Sequence, residues 1–289
     1  MIEMRMKKIK NSDDAVVGVV VAVLLVGLVV SFVSLVQTVY VPKWMKQQEA
    51  EHMDEVANQF AQLKFAIDTQ SANEQKYTPI VTSITLGNKE MPFLMSLRSF
   101  GYLEILPDAC NIEISSAGAE PSSYSLGTIK YSSANAYFLD QDYIYETGAI
   151  IINQSQGNVT SVKPSFSASK EPVTNNISIS FILVDISGIG GKISSSGYGT
   201  SPIQTEFLSS NISIIPNVQY INITTFYPNA WSVFINSTLS PLEEEAGGWD
   251  FFGISIDGNK VIVKFTKRVD LSPLKIVNIG AQIGPGFVE

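Results

Sequence analysis

Apolar residues follow three different rhythms along this chain. In residues 15–36 they are unbroken: AVVGVVVAVLLVGLVVSFVSLV, with no charge and only two serines. At about 1.5 Å of rise per residue, a helix of this length matches a hydrocarbon core about 30 Å thick. Valine is a poor helix former in water. In lipid, however, every backbone group must be satisfied within the segment, so the run predicts a helix. After Pro42 the rhythm changes. Met53, Val56, Phe60, Leu63 and Ile67 recur at spacings of three, four, three and four. That spacing draws an apolar seam on one helix face, with Glu51, Asp54, Glu55, Asn58 and Gln62 opposite. The seam can pack on the chain's own body or against neighbouring helices in an oligomer. It is short for a free coiled coil, which favours the first. Pro42 has no N–H and is expected to kink or reset the helix.

From Tyr77 onward short apolar runs alternate with turn residues. Residues 80–86, 112–114, 128–131, 136–139, 143–145, 149–152 and 177–184 predict strands, filled by β-branched and aromatic residues. Residues 253–256 and 260–265 flank Asp257-Gly258-Asn259 and predict a hairpin. Residues 91–106 read as a short helix followed by a strand. Residues 185–202, DISGIGGKISSSGYGTSP, read as a long flexible loop or hairpin tip. The fold class is therefore mainly β with a long N-terminal hydrophobic and amphipathic α-helix, its outer body a β-sandwich-like domain. The expected organisation is a leader (1–14), a hydrophobic helix (15–40), an amphipathic continuation (41–70) and a β domain (71–289). A subdivision near residue 170 is left open.

Charge gives this layout a direction. Of 19 basic and 27 acidic residues, Arg5, Lys7, Lys8 and Lys10 face only Glu3, Asp13 and Asp14 in the first fourteen positions. The rest holds 15 basic and 24 acidic residues, a net −9. The basic leader predicts a cytoplasmic N-terminus and a body outside the cell membrane, with Tyr40 and Trp44 at the far interface. The apolar run exceeds the length of a signal-peptide core and no A-x-A-like site follows it, so the helix is expected to be retained. An acidic body repels phosphates and speaks against nucleic acid as a partner.

Chemistry-bearing residues are scarce. Cys110 is the single cysteine and His52 the single histidine. They leave no intrachain disulfide and no multi-Cys zinc site, and they exclude most nucleophilic triads. Cys110 reads as a small buried hydrophobe or a reactive thiol, and His52 as a solvated helix residue. No phosphate loop, nucleophile elbow or dinucleotide fingerprint occurs, so no cofactor and no enzymatic activity are expected. Asp140 with Asp142, and the run Glu243, Glu244 and Glu245, read either as calcium-binding loops or as a turn and a solvated acidic loop. Six N-x-Ser/Thr sequons, at Asn153, Asn158, Asn176, Asn211, Asn222 and Asn236, are candidate glycosylation sites, each requiring an exposed acceptor.

Residues 12–30, SDDAVVGVVVAVLLVGLVV, resemble the N-termini of archaeal type IV pilin-like proteins, with a charged leader, Ala-Val, Gly-Val and a long aliphatic helix. Residues 135–154, NAYFLDQDYIYETGAIIINQ, also resemble a segment of archaeal surface proteins of this type. The resemblance implies a prepilin-type peptidase that cleaves the leader on the cytoplasmic side, here between Asp14 and Ala15. It further implies a helix that anchors the protein and can form a filament core with identical or other pilin-like subunits. Where many such sequences place Ser-Pro, Val17 leads straight to Gly18, and no Glu lies near the start of the helix. The expected function is a structural surface protein, a filament subunit or minor pilin in assembly or adhesion. The alternatives are a non-polymerising anchored ectodomain that binds an envelope component or polysaccharide and, third, an anchored hydrolase.

Overall fold

The computed structural model describes residues 11–88, 99–171, 176–245 and 250–284, without the side chains of 11–15, 244 and 245. Leader residues 1–10 and the helix expected at the start of 91–106 lie outside the described residues. The chain divides into two compact units, residues 1–48 and 49–289.

Residues 11–48 of the first unit are helical. Helix α1 (Asn11–Leu35) passes through a π-helical stretch, Val36–Tyr40, into α2 (Val41–Asn73). Instead of a break at Pro42, the turn before it widens, and the Val41 N–H bonds to the Val36 carbonyl. A proline ring clashes with the carbonyl four residues back, here that of Thr38, and the wider turn accommodates it.

Among its described residues the second unit holds residues 49–73 of α2, fourteen strands and a third helix. The strands are β1 (Ile80–Thr85), β2 (Phe100–Ser116), β3 (Ser122–Ala134), β4 (Gln141–Glu146), β5 (Ala149–Gln154), β6 (Gly157–Val162) and β7 (Phe166–Lys170). They continue as β8 (Ile177–Gly188), β9 (Ser194–Gly197), β10 (Thr200–Ile215), β11 (Val218–Thr224), β12 (Phe252–Asp257), β13 (Lys260–Phe265) and β14 (Val269–Ile283). Helix α3 (Pro228–Glu245) lies between β11 and β12. One sheet has five strands in the order β1-β10-β14-β8-β7, and only its β14–β8 pair is parallel. The other has nine, in the order β12-β13-β11-β2-β3-β4-β5-β6, with β9 paired to β2. Residues on either side of 170 pair with each other, as β2 does with β11.

Two apolar cores form, one closed by α2 and the other by α3. Long strands serve both by burying opposite faces along their length. In β8, Ile177, Ile179, Phe181 and Leu183 face the α3 core, whereas Val184 and Ile186 face the α2 core. The adjacent Leu183-Val184 pair is the point where the buried face changes. Strands β4 and β5 are buried on both faces, with Ile144 and Ile151 on one and Tyr143, Tyr145 and Ile150 on the other. The two sheets touch between the cores at Gly127. A Cβ there would overlap the Ile186 carbonyl oxygen, and the Gly127 N–H donates to Asp185 Oδ1 at 2.8 Å.

The structure departs from the sequence expectations at four places. Residues 136–139 are a bent loop rather than a strand. Residues 185–202 are largely strand, since β8 runs on to Gly188 and Ser194–Gly197 pairs with β2. Residues 228–245 are a helix, so Glu243, Glu244 and Glu245 end a helix instead of forming a loop. His52 is buried, 4% exposed, rather than solvated.

Candidate functional site

The apolar helix α1 is the first functional element. Every side chain from Val16 to Leu35 is exposed, Leu24, Leu28 and Phe32 by about two thirds. A helix that is apolar all round has no stable place in water and requires lipid or apolar partners. This one is long and apolar enough to cross a membrane, as an anchor or a signal segment would be.

The seam of α2 is the second element. Met53, Val56, Phe60, Leu63 and Ile67 are at most 2% exposed. They share one core with Ile84, Leu103, Tyr143, Phe207 and Ile279. Each large side chain buried there stabilises by about 1.5–3 kcal/mol. The seam therefore packs on the chain's own body, the first of its two sequence readings.

Polar groups fasten the same stretch of helix. Glu49 is fully buried. Its carboxylate accepts three consecutive backbone N–H groups, from Ala136 at 3.0 Å, Tyr137 at 2.8 Å and Phe138 at 2.6 Å. Three N–H groups converging on one carboxylate bend residues 136–138 out of the strand their composition suggests. His52 Nε2 lies 3.1 Å from Tyr131 Oη. That hydroxyl donates its own proton to the Leu86 carbonyl at 2.8 Å, so Nε2–H donates to it. Burial depresses the imidazole below its ordinary range, disfavouring its charged form. Tyr143 Oη donates to the Met53 carbonyl at 3.0 Å. At the C-terminal end of α2, Lys275 donates to the Ser71 carbonyl at 2.8 Å and pairs with Glu74 at 2.7 Å.

The α3 core contains a buried carboxyl. Glu146, at the end of β4, is 0% exposed. Its Oε1 accepts the Trp231 indole N–H at 2.6 Å and the Thr225 hydroxyl at 2.8 Å. Oε2 has no partner among the described residues. Burial pushes the carboxyl up to about 7, and the two hydrogen bonds offset part of that shift. Cys110 lies in the same core and burial pushes its thiol well up, away from the reactive thiolate.

The acidic pairs are engaged locally. Asp140 accepts the Asn135 N–H at 2.8 Å, and Asp142 faces Lys130 at 3.5 Å and Asn153 at 3.2 Å. Glu243 accepts the Phe251 N–H at 3.2 Å, while the side chains of Glu244 and Glu245 lie outside the described residues. Among the described residues no group of three His, Cys, Asp or Glu side chains is placed to hold a metal ion.

The sequons separate by exposure. Asn211 on β10 and Asn236 on α3 are exposed, and Asn153, Asn158 and Asn176 are half-buried. Asn222 is 6% exposed in β11, its amide 3.4 Å from Glu113, and so lacks the exposed acceptor that a glycan requires. The Asn158 side-chain oxygen Oδ1 accepts the Ala230 N–H at 2.8 Å. Asp14 and Ala15 lie within α1, with their side chains outside the described set.

The sequence reading missed α3 although its signal was present. Trp231, Ile235 and Leu239 recur every four residues, and with Phe234 they fill the α3 core. No protein-family model, curated protein or solved structure matches this chain.

Proposed function

We propose that this chain is a membrane-anchored structural protein of the cell surface, built on a pilin-like plan, whose body works by assembly or adhesion. The observation that carries the reading is the contrast along its helical stretch. Residues 16–35 expose apolar side chains on every face, whereas Met53 to Ile67 bury theirs in a β body. The exposed part needs lipid or other helices around it, and the buried part supplies a folded head. The basic leader and the resemblance of residues 12–30 to archaeal type IV pilin-like proteins support the direction and the class. Shearing intact cells tests it. Filaments containing this protein are expected in the sheared fraction, and release of a soluble body without shear or detergent would sink the reading.

The stationary ectodomain is the second reading. The burial of the α2 seam favours it, because that face is already occupied within one chain and is not free to pack against a neighbour. Under this reading the protein stays with the membrane fraction after shearing and leaves it only in detergent.

A further inference from the structure

The polar face of α2 is not absorbed by anchoring or by the core. Glu51, Asp54, Glu55, Asn58 and Gln62 form one wall of an open groove of about 700 Å³, and Val81, Thr82 and Ser83 of β1 form the other. Among the described residues no Lys or Arg lines it.

Strand β1 ends its sheet. It pairs with β10, and among the described residues no strand pairs with its other edge. The register shows which groups face that edge. Thr85 lies opposite Thr200, and the next N–H, that of Leu86, donates to the Gly199 carbonyl. In an antiparallel ladder this makes Thr85–Thr200 a pair without mutual hydrogen bonds. The backbone N–H and C=O groups of Thr85, Ser83 and Val81 therefore point away from β10. Gln59 Oε1 takes the Thr85 N–H at 2.7 Å and closes that end. Val81 and Ser83 are left facing the groove.

We propose that this groove accepts an extended, basic segment of a partner protein, which adds a strand to the edge of β1 that faces away from β10. Its main chain would pair with Val81 and Ser83, and its Lys or Arg side chains would lie over Asp54 and Glu55. Three observations select this occupant. Exposed edges are ordinarily blunted by lysine, proline or a bulge, and β1, IVTSIT, carries none of these. The charged side chains among the described residues of the wall beside it are all acidic, which favours positive side chains on whatever binds. A second copy offering its own β1 would bring two acidic walls together, and like charges oppose that pairing. The inference holds whether or not the chain polymerises.

The test uses the full chain in non-ionic detergent micelles, with a short synthetic peptide alternating lysine and threonine as the probe. Saturating peptide is expected to slow hydrogen exchange of the Val81 and Ser83 amides by about tenfold or more, the protection that a paired strand confers. Asp54→Asn with Glu55→Gln should weaken binding by about threefold or more, since each is an exposed charge. The same peptide with glutamate in place of lysine should not bind. Val81→Pro removes an N–H that faces away from β10, so it should abolish binding and leave the unfolding temperature nearly unchanged. If that variant does not fold, the charge variants and the exchange readout still decide. Unchanged exchange at Val81 and Ser83 under bound peptide would overturn the proposal. Self-association of the full chain that the lysine peptide displaces would also overturn it, by making a second copy the occupant.

Discussion

Glu146 accepts the indole N–H of Trp231 at 2.6 Å inside a core that excludes water, so a carboxyl on β4 holds helix α3 in place. The pairing links stability to pH. The folded carboxyl sits at about 7 against an ordinary value of 4.5, so the folded protein binds the proton more tightly than the unfolded chain. The stabilisation is fully present below pH 4.5 and is lost as pH rises through 7, an amount of about 3 kcal/mol. His52 acts in the opposite sense, because its lowered value costs stability as pH falls below its ordinary range. Unfolding of wild type and Glu146→Gln should therefore be compared across pH 4.5 to 8, where the His52 contribution cancels. The wild type should lose stability relative to the variant as pH rises, and parallel profiles would refute the linkage.

The α2 seam is a core element, and truncating it should cost accordingly. Phe60→Ala leaves a cavity beside Tyr143, whose ring centroid lies 5.8 Å away, and should destabilise by about 3–5 kcal/mol. Gln62→Ala, on the groove side, should be within about 0.5 kcal/mol of wild type. Chemical denaturation of the two variants in micelles measures both. Equal midpoints for Phe60→Ala and wild type would show that the seam carries no folding energy.

Glu49 should matter through its charge as well as its shape. Glu49→Gln keeps the volume but weakens three charge-assisted hydrogen bonds and turns an amide N–H₂ toward backbone donors. A loss of about 1.5–3 kcal/mol is expected. Hydrogen exchange at Ala136, Tyr137 and Phe138 should accelerate in this variant more than exchange in β4. Uniform acceleration across the body would mean that the three bonds hold nothing local.

Gly127 marks the contact between the two sheets. Gly127→Ala should destabilise by more than about 1 kcal/mol, because its methyl group overlaps the Ile186 carbonyl oxygen and one strand must shift. Gly199→Ala is the control, since nothing lies within 4 Å of a Cβ there. Melting temperatures of both variants decide the matter, and a neutral Gly127→Ala would show that the sheets are free to separate at that point.

Processing and glycosylation can be read from protein isolated from its native cells. N-terminal sequencing should begin at Ala15 if a prepilin-type peptidase acts, and an intact leader would remove that expectation. Among the sequons, peptide mass spectrometry should find glycan at Asn211 or Asn236 and none at Asn222, whose burial in β11 leaves no room for a sugar. Glycan at Asn222 in folded protein would contradict its placement.

Periodicity determined a large part of this protein directly. The unbroken run of residues 15–36, the three-four spacing of Met53 to Ile67 and the turn at Gly258-Asn259 depend only on neighbours close in sequence. Local spacing alone decides which face of a helix or strand is apolar. Even the change of buried face in β8 is written in the adjacent Leu183 and Val184. Contacts distant in sequence decided the rest. Residues 136–139 have strand composition, but the Glu49 carboxylate, 87 residues before Ala136, captures their N–H groups. His52 lies among Gln and Glu in sequence, yet Tyr131 gives it a buried partner 79 residues away. The exposure of Asn211 and the burial of Asn222 depend on which strands flank each of them, and no spacing encodes that. A buried polar group costs stability unless a partner meets it, and for Glu49 and His52 those partners were brought together by tertiary structure.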